Sequence, residues 1–311
     1  MRIVFFGTPV FAQTILSYLY ENQVEIAAVV TKPDKPQLRS RQPVPSPVKQ
    51  FAQEKGLPVY QPIKASDPAF VSGVLAPLKA DLFIVAAFSE ILKENLLNLP
   101  SLGCINVHAS LLPKYRGAAP IQRCIMDGQK ESGVTIMAMD VGLDTGAMYK
   151  KIAVPIMPDM TAGELADQLA QKGAEGMLAV IQELKSGKAK AIVQPLDGAT
   201  YAKKLTSEDG QVNWGLSSEE VYNHIRGVTP KPGAWCFVTI KGEAKRMRIL
   251  KARQVATLQS SVAKLTSTKT HPLLIGCAQG GISLLDVQLE GKKAMSAQSF
   301  INGISINDVK F

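Results

Sequence analysis

Short apolar runs recur through the first half of the chain, at Ile3 to Phe6, Val24 to Val30, Leu82 to Ala87 and Cys104 to His108, with helix-like stretches between them. Strands and helices alternating in this rhythm predict a parallel α/β sheet. Thr8 and Pro9 follow the first run as an N-cap and a proline at the first helical position, so a helix is expected to start there. Gly7 alone precedes it. Val10, Phe11 and Ala12 stand where a dinucleotide fingerprint needs further glycines, so no NAD site is expected. Residues 161–186 read as one long helix, opened by Thr161 and Glu164 at capping-box spacing, and this helix is expected to close a first domain at 1–187. Residues 188–207 carry neither period and read as a linker. In 208–311 a short helix, Ser217 to Arg226, precedes turn-separated strands such as Trp235 to Ile240, Arg246 to Lys251 and Gly281 to Leu285. The expected fold class is α/β: a Rossmann-like, open, parallel-rich sheet domain, then a smaller β-rich, barrel-like domain of OB type.

The chain has 311 residues, more than one core usually supports, and 46% apolar with 20% charged residues excludes global disorder. No apolar run approaches the roughly 18 residues of a membrane span. Arg2, Ile3 to Phe6 and Ala12 loosely imitate a secretion signal, but Gly7, Thr8 and Pro9 interrupt it, and the protein reads as cytoplasmic. Cys104, Cys124, Cys236 and Cys277 are too few and too scattered for a disulfide framework or a zinc site, which leaves buried thiols and no metal. No heptad seam is present, and the chain reads as a monomer.

Charge changes the picture further. The net charge of +9 would attract a polyanion. Residues 1–205 hold 22 basic against 18 acidic side chains, and residues 206–311 hold 13 against 8. Between Arg226 and Arg253 eight basic residues face only Glu243 and are interleaved with Trp235 and Phe237. A solvated strand face is the alternative explanation. Lys32 to Lys49 carries five prolines and five basic residues against Asp34; it suits a loop that orders on a polyanion, or a plain surface connection.

Candidate chemistry gathers at the end of the fourth apolar run. Asn106 and His108 are two residues apart on a strand, so they share a face, and both are expected at its carboxyl end, the edge where open α/β sheets bind ligands. The turn Val141 to Gly146, with Asp144, follows another strand-like run, Val134 to Met139, and would bring in a third polar group. Read singly, Asn106 also fits a turn cap and His108 a hydrogen-bonded buried histidine.

The longer strings decide between these readings. Asn106-Val107-His108-Ala109-Ser110-Leu111-Leu112-Pro113-Lys114-Tyr115-Arg116-Gly117-Ala118-Ala119-Pro120 and Met139-Asp140-Val141-Gly142-Leu143-Asp144-Thr145-Gly146 resemble the signature of the folate-dependent formyltransferases. Phe6-Gly7-Thr8-Pro9, Pro45-Ser46-Pro47-Val48-Lys49, Val212-Asn213-Trp214, Pro230-Lys231-Pro232-Gly233-Ala234-Trp235 and Gly291-Lys292-Lys293-Ala294-Met295-Ser296-Ala297-Gln298 are similar to the branch that formylates methionyl-tRNA.

This resemblance implies 10-formyltetrahydrofolate as donor, initiator methionyl-tRNA as acceptor, no metal, and Asn106, His108 and Asp144 as catalytic residues. It also implies a folate site lined by Phe88, Ser89, Ile91, Leu92, Ser110, Leu111, Leu112 and Pro113, with core packing the alternative for Leu111 and Leu112. Lys35, Arg39, Arg41, Arg226, Lys245, Arg246 and Arg248 are the candidates for tRNA contact. The chain departs from the family pattern at Ala109, at Phe88-Ser89, where tyrosine-glycine is common, and at Gln37, Leu38 and Gln42. Rival readings with the same first domain are formylation of an amino sugar nucleotide and hydrolysis of the folate donor. A rival of another class is a non-catalytic RNA-binding protein.

Overall fold

The apolar runs become the middle of a seven-stranded sheet in the computed structural model, which describes residues 1–36, 43–195 and 197–311. The chain divides into two units. The first comprises Met1–Pro120, Glu131–Pro155 and Ala166–Ala202, and the second Ile121–Lys130, Ile156–Leu165 and Lys203–Phe311. Residues 188–202, read from the sequence as linker, thus fold with the first unit.

The sheet of the first unit contains β1 (Ile3–Gly7), β2 (Ile26–Val30), β3 (Val59–Tyr60), β4 (Leu82–Ala86), β5 (Cys104–His108), β6 (Glu131–Ala138) and β7 (Met148–Pro155). Their order is β7-β6-β5-β4-β1-β2-β3. The strands from β3 through β5 pair in parallel, whereas β6 and β7 are antiparallel. Every residue of β1 and β4 is buried, as a central parallel strand covered on both faces requires. Ile3, Phe5, Ile105, Val107 and Ile136 pack on one face beneath helices α1 (Val10–Glu21), α2 (Pro47–Glu54) and α3 (Ala162–Lys185). Val4, Phe6, Phe83 and Val85 pack on the other against Val71, Leu75, Leu92 and Leu96.

One detail fixes β5 in this stack. A Cβ at Gly173 of α3 would lie 2.6 Å from Val107 Cγ1, so only glycine lets the helix come this close. The capping box expected for α3 is formed, with the Thr161 N–H given to Glu164 Oε2 at 2.8 Å and the Glu164 N–H given to Thr161 Oγ1 at 3.3 Å. At α1 the expected cap shifts by one residue. Pro9 occupies the cap position without a side-chain bond, and the Thr8 hydroxyl instead accepts from Thr31 Oγ1 at 3.5 Å. Among the described residues of Lys32 to Lys49, Lys35–Pro36 pairs antiparallel with Pro43–Val44, and α2 starts at Pro47 under a Ser46 cap.

The second unit is built on an antiparallel, nearly closed, barrel-like sheet of β8 (Ala234–Ile240), β9 (Glu243–Val255), β10 (Leu265–Thr266), β11 (Leu273–Gly276), β12 (Gly281–Leu289), β13 (Met295–Ser296) and β14 (Val309–Lys310). The order is β10-β11-β12-β9-β8-β14, with β13 on β12. Met247 and Ile249 of β9 enter the core with Val238, Leu284 and Val287, so period-two alternation turns Arg246 and Arg248 outward. Helix α4 (Ser218–Gly227) contributes Val221 and Ile225 to that core and is opened by a capping box between Ser217 and Glu220.

His224 of α4 has a partner in the Gly210 backbone, but its Nε2 is buried without one. Burial holds its pKa below the ordinary value of 6.5. The unfolded chain therefore binds a proton here that the folded one refuses, and stability rises with pH. In urea denaturation the His224 contribution is expected to be complete above about pH 6.5, the unperturbed histidine value, and to decline as pH falls below it. Asp34 and Asp209, held below the usual carboxylate range by hydrogen bonds from Lys49 and the Thr206 backbone, titrate lower, so His224→Leu should flatten the slope in this window; an unchanged slope would contradict the assignment.

Candidate active site

Strand β5 is clamped on both edges. Val85 of β4 pairs with Asn106, and on the other side Met137 faces Asn106 and Thr135 faces His108. Asn106 and His108 consequently share the face opposite Ile105 and Val107. His108 is 5% exposed. Its Nε2–H donates to the Tyr115 carbonyl at 3.0 Å, and Nδ1 lies 3.6 Å from Asp144 Oδ2. A doubly protonated ring satisfies both acceptors, and a neutral ring only one. Asn106 is half-buried and makes no side-chain hydrogen bond among the described residues, so its amide N–H groups are available.

Asp144 arrives by a route the sequence does not announce. Because β6 is antiparallel to β5, Ala138 ends level with Ile105, and the loop after it must return along the sheet to reach His108. Asp144 is left-handed there, at φ +52°, and its Oδ2 accepts the Gly117 N–H at 2.7 Å. Gly146 permits the return: a Cβ would stand 1.9 Å from the Ala138 carbonyl oxygen.

The residues proposed for folate fall into three groups. Phe88, Leu92 and Leu112 are buried in core clusters, Phe88 edge-on to Phe6 at 5.5 Å between ring centres. Ser110 is buried too, its hydroxyl donating to the Lys114 carbonyl at 2.6 Å. Leu111 and Pro113 are half-buried, whereas Ser89 is exposed and Ile91 is 81% exposed. Ala87 and Ser89 are both left-handed, at φ +46° and +58°, directly beyond β4. Glycine is at ease at the second of these, and serine is strained there.

Among the tRNA candidates, Lys35 lies on the short strand Lys35–Pro36, and Arg39 and Arg41 lie outside the described residues. Arg226 requires correction. It is 4% exposed, and its guanidinium donates from Nε and Nη2 to Asn223 Oδ1 and from Nη1 to the Met160 carbonyl at 3.1 Å, so it holds the second unit together instead of facing a phosphate. Lys245 pairs with Glu243 at 3.2 Å. The Arg246 guanidinium lies 3.9 Å above the Trp235 ring, beside Phe237, which is 55% exposed, and Arg248 is exposed opposite Trp235. Neither arginine side chain makes a hydrogen bond or close ion pair among the described residues, although Glu208 lies near Arg246.

Residues 1–181 match the family model described as formyl transferase, and residues 204–305 match that of the formyl transferase C-terminal domain. The methionyl-tRNA formyltransferase of Chlamydia pneumoniae is 48% identical over 100% of this chain and 97% of its own length. The chain belongs to the methionyl-tRNA formyltransferase family. Two solved structures share the fold of this formyltransferase. An N-formyltransferase from Helicobacter canadensis, in complex with folinic acid and dTDP-3-aminofucose, superposes with TM-score 0.67 at 20% identity over 91% of this chain and 98% of that one. The methionyl-tRNA formyltransferase of Clostridium thermocellum gives 0.58 at 15% identity, over 93% and 99%.

The candidate site also contains residues that no sequence motif marks. Thr135 Oγ1 donates to the Ser110 carbonyl at 2.7 Å and accepts the Leu112 N–H at 3.1 Å. Gln194 and Thr200 reach the site from the aperiodic stretch read as linker. The sole local cue was a glutamine set between Ile192-Val193 and Pro195.

Removing the Arg226 side chain would strand Asn223 Oδ1 and the Met160 carbonyl inside the second unit. Arg226→Ala is expected to cost about 3 kcal/mol, read as a lower urea midpoint. Wild-type stability with weakened tRNA binding would instead restore Arg226 to the RNA surface.

Proposed function

We propose that this formyltransferase moves the formyl group of 10-formyltetrahydrofolate onto the α-amine of initiator methionyl-tRNA in the cytoplasm, with the first unit catalysing and the second holding RNA. One observation carries the chemistry: the His108 ring is held between the Tyr115 carbonyl and Asp144 while the Asn106 amide, on the same face, is uncommitted. The full-length likeness to enzymes named for methionyl-tRNA supports that acceptor.

The donor supplies a formyl carbon already bound to a nitrogen that can leave. As the amine adds to that carbon, the formyl oxygen gains negative charge, and N–H donors fixed beforehand stabilise it most. Asn106 Nδ2 is the donor free from the outset. His108 joins by giving its Nε2–H to the oxygen in place of the Tyr115 carbonyl, and Asp144 holds the ring and its charge. The proton lost by the amine passes to the Asp144 carboxylate, directly or through one water. The departing folate nitrogen takes up a proton, so none is gained or lost overall.

The sheet fits a folate. Its strand order reverses between β1 and β4, and the carboxyl ends of strands at such a point form a ligand crevice. The exposed Ile91 and the half-buried Leu111 and Pro113 offer apolar surface for a flat ring. For RNA, the outward Arg246 and Arg248 with Lys35, Arg39 and Arg41 supply charge without a base-reading motif, which suits recognition of a duplex by backbone and shape.

Two measurements test this reading. Formylation of methionyl-tRNA by Asn106→Ala is expected to fall by about 10²- to 10³-fold in turnover with tRNA binding kept, the usual effect of losing one oxyanion donor; near-normal turnover removes Asn106 from the mechanism. Affinity for tRNA is expected to drop steeply with salt, and Arg246→Ala and Arg248→Ala should each lower the logarithmic slope by about one. A flat response would point to a small-molecule acceptor.

A further inference from the structure

Gln194 is 5% exposed, and its whole carboxamide is engaged. Nε2 donates to the carbonyl oxygens of Asp144 and Gly146, both at 2.8 Å. Oε1 accepts from Arg116 Nε at 3.2 Å and from Arg116 Nη2 at 2.7 Å. Arg116 is itself fixed, its N–H given to the Thr200 carbonyl at 2.8 Å, and the next residue, Gly117, supplies the N–H that binds Asp144 Oδ2.

The loop needs this support. Val141 and Leu143 at its tip are exposed, and the local bonds there are those Asp140 accepts from the Gly142 N–H and the Thr145 hydroxyl. Asp144 is left-handed, a conformation that a non-glycine residue keeps only where its surroundings over-determine it. Gln194 holds the backbone of Asp144, while Gly117, beside the arginine that Gln194 binds, holds its carboxylate.

We infer that Gln194 is a positioning residue for formyl transfer, setting the Asp144 backbone through its carboxamide so that the carboxylate meets His108. The inference rests on the roles proposed above for His108 and Asp144. The hydrogen bonds of the Gln194 side chain go to Arg116 and to the Asp144 and Gly146 carbonyls, not to the imidazole or the carboxylate.

Two substitutions separate its functions. Gln194→Met keeps the length and removes every polar contact, and Gln194→Glu keeps an acceptor for Arg116 while losing both donors. Each is expected to lower kcat by about 10- to 100-fold, the scale of a small misplacement of catalytic groups, with KM for tRNA and folate kept within about threefold. Added to Asp144→Asn, Gln194→Met should cost little more, because coupled residues are not additive. At one fixed pH, the ring ¹⁵N signals of His108 in Gln194→Met should move toward those of Asp144→Asn, with His271 as an unmoved reference.

An unchanged kcat, a full independent loss in the Asp144→Asn background, unmoved His108 signals, or failure of both variants to fold would each overturn the assignment. If the wild-type chain formylates no methionyl-tRNA, the functional reading fails by itself. The His108 signals then still decide whether Gln194 sets this pair.

Discussion

The site depends on one constraint, the locked register of β5 between β4 and β6. A strand presents alternate side chains to opposite faces, so a slip of one residue would send Asn106 and His108 into the apolar core and bring Ile105 and Val107 into their place. Ladders on both edges and the close approach of α3 at Gly173 forbid that slip. Burial of Ile105 and Val107 is worth about 1.5–3 kcal/mol for each side chain, and it holds the two polar groups in position from the opposite face.

The parts of this arrangement that were legible in the sequence are those encoded by local period. Strands β1 and β4 lie close to their apolar runs because a doubly covered strand must be apolar throughout, β5 follows its run through the buried Ile105 and Val107, and the capping box at Thr161 follows from spacing alone. Direction was harder to read. Period two states which face a residue occupies but not which way the next strand runs, so the antiparallel course of β6 and the returning loop of Asp144 were hidden even though the motif containing Asp144 was plain. Residues 188–202 were hidden for a different reason. The contacts described there are short backbone pairings, as between Ile192 and Met148 or between Tyr201-Ala202 and Arg116-Gly117, and side-chain bonds from Gln194 and Thr200, and they leave no periodic trace.

Charge in a sequence likewise does not reveal burial. Arg226 belongs to the densest basic run and is interior, because α4 turns it toward Asn223 and the Met160 carbonyl. In the first unit Lys32 is paired with Glu90 and Lys49 with Asp34, whose carboxyl lies below the usual range chiefly through its hydrogen bond from Lys49. These cations stabilise their own loop and contribute less outward field than the count suggests. Alternation along β9 supplies a better guide, since of the residues facing away from Met247 and Ile249, Arg248 is exposed and Arg246 is half-buried over the Trp235 ring.

The left-handed Asp144 shows how a strained site is maintained. That conformation costs about 1–2 kcal/mol for a residue bearing a Cβ. The N–H of Gly117, given to a charged carboxylate, returns about 1.5–3 kcal/mol net, and each of the two from Gln194 about 0.5–1.5 kcal/mol. Together these exceed the strain, so the bent loop persists. Stabilisation drawn from residues 116, 117 and 194 is available only after distant parts of the chain have folded together. The carboxylate beside His108 is therefore a product of the completed first unit and not of the loop's own sequence, which is why a motif can name Asp144 without saying what holds it.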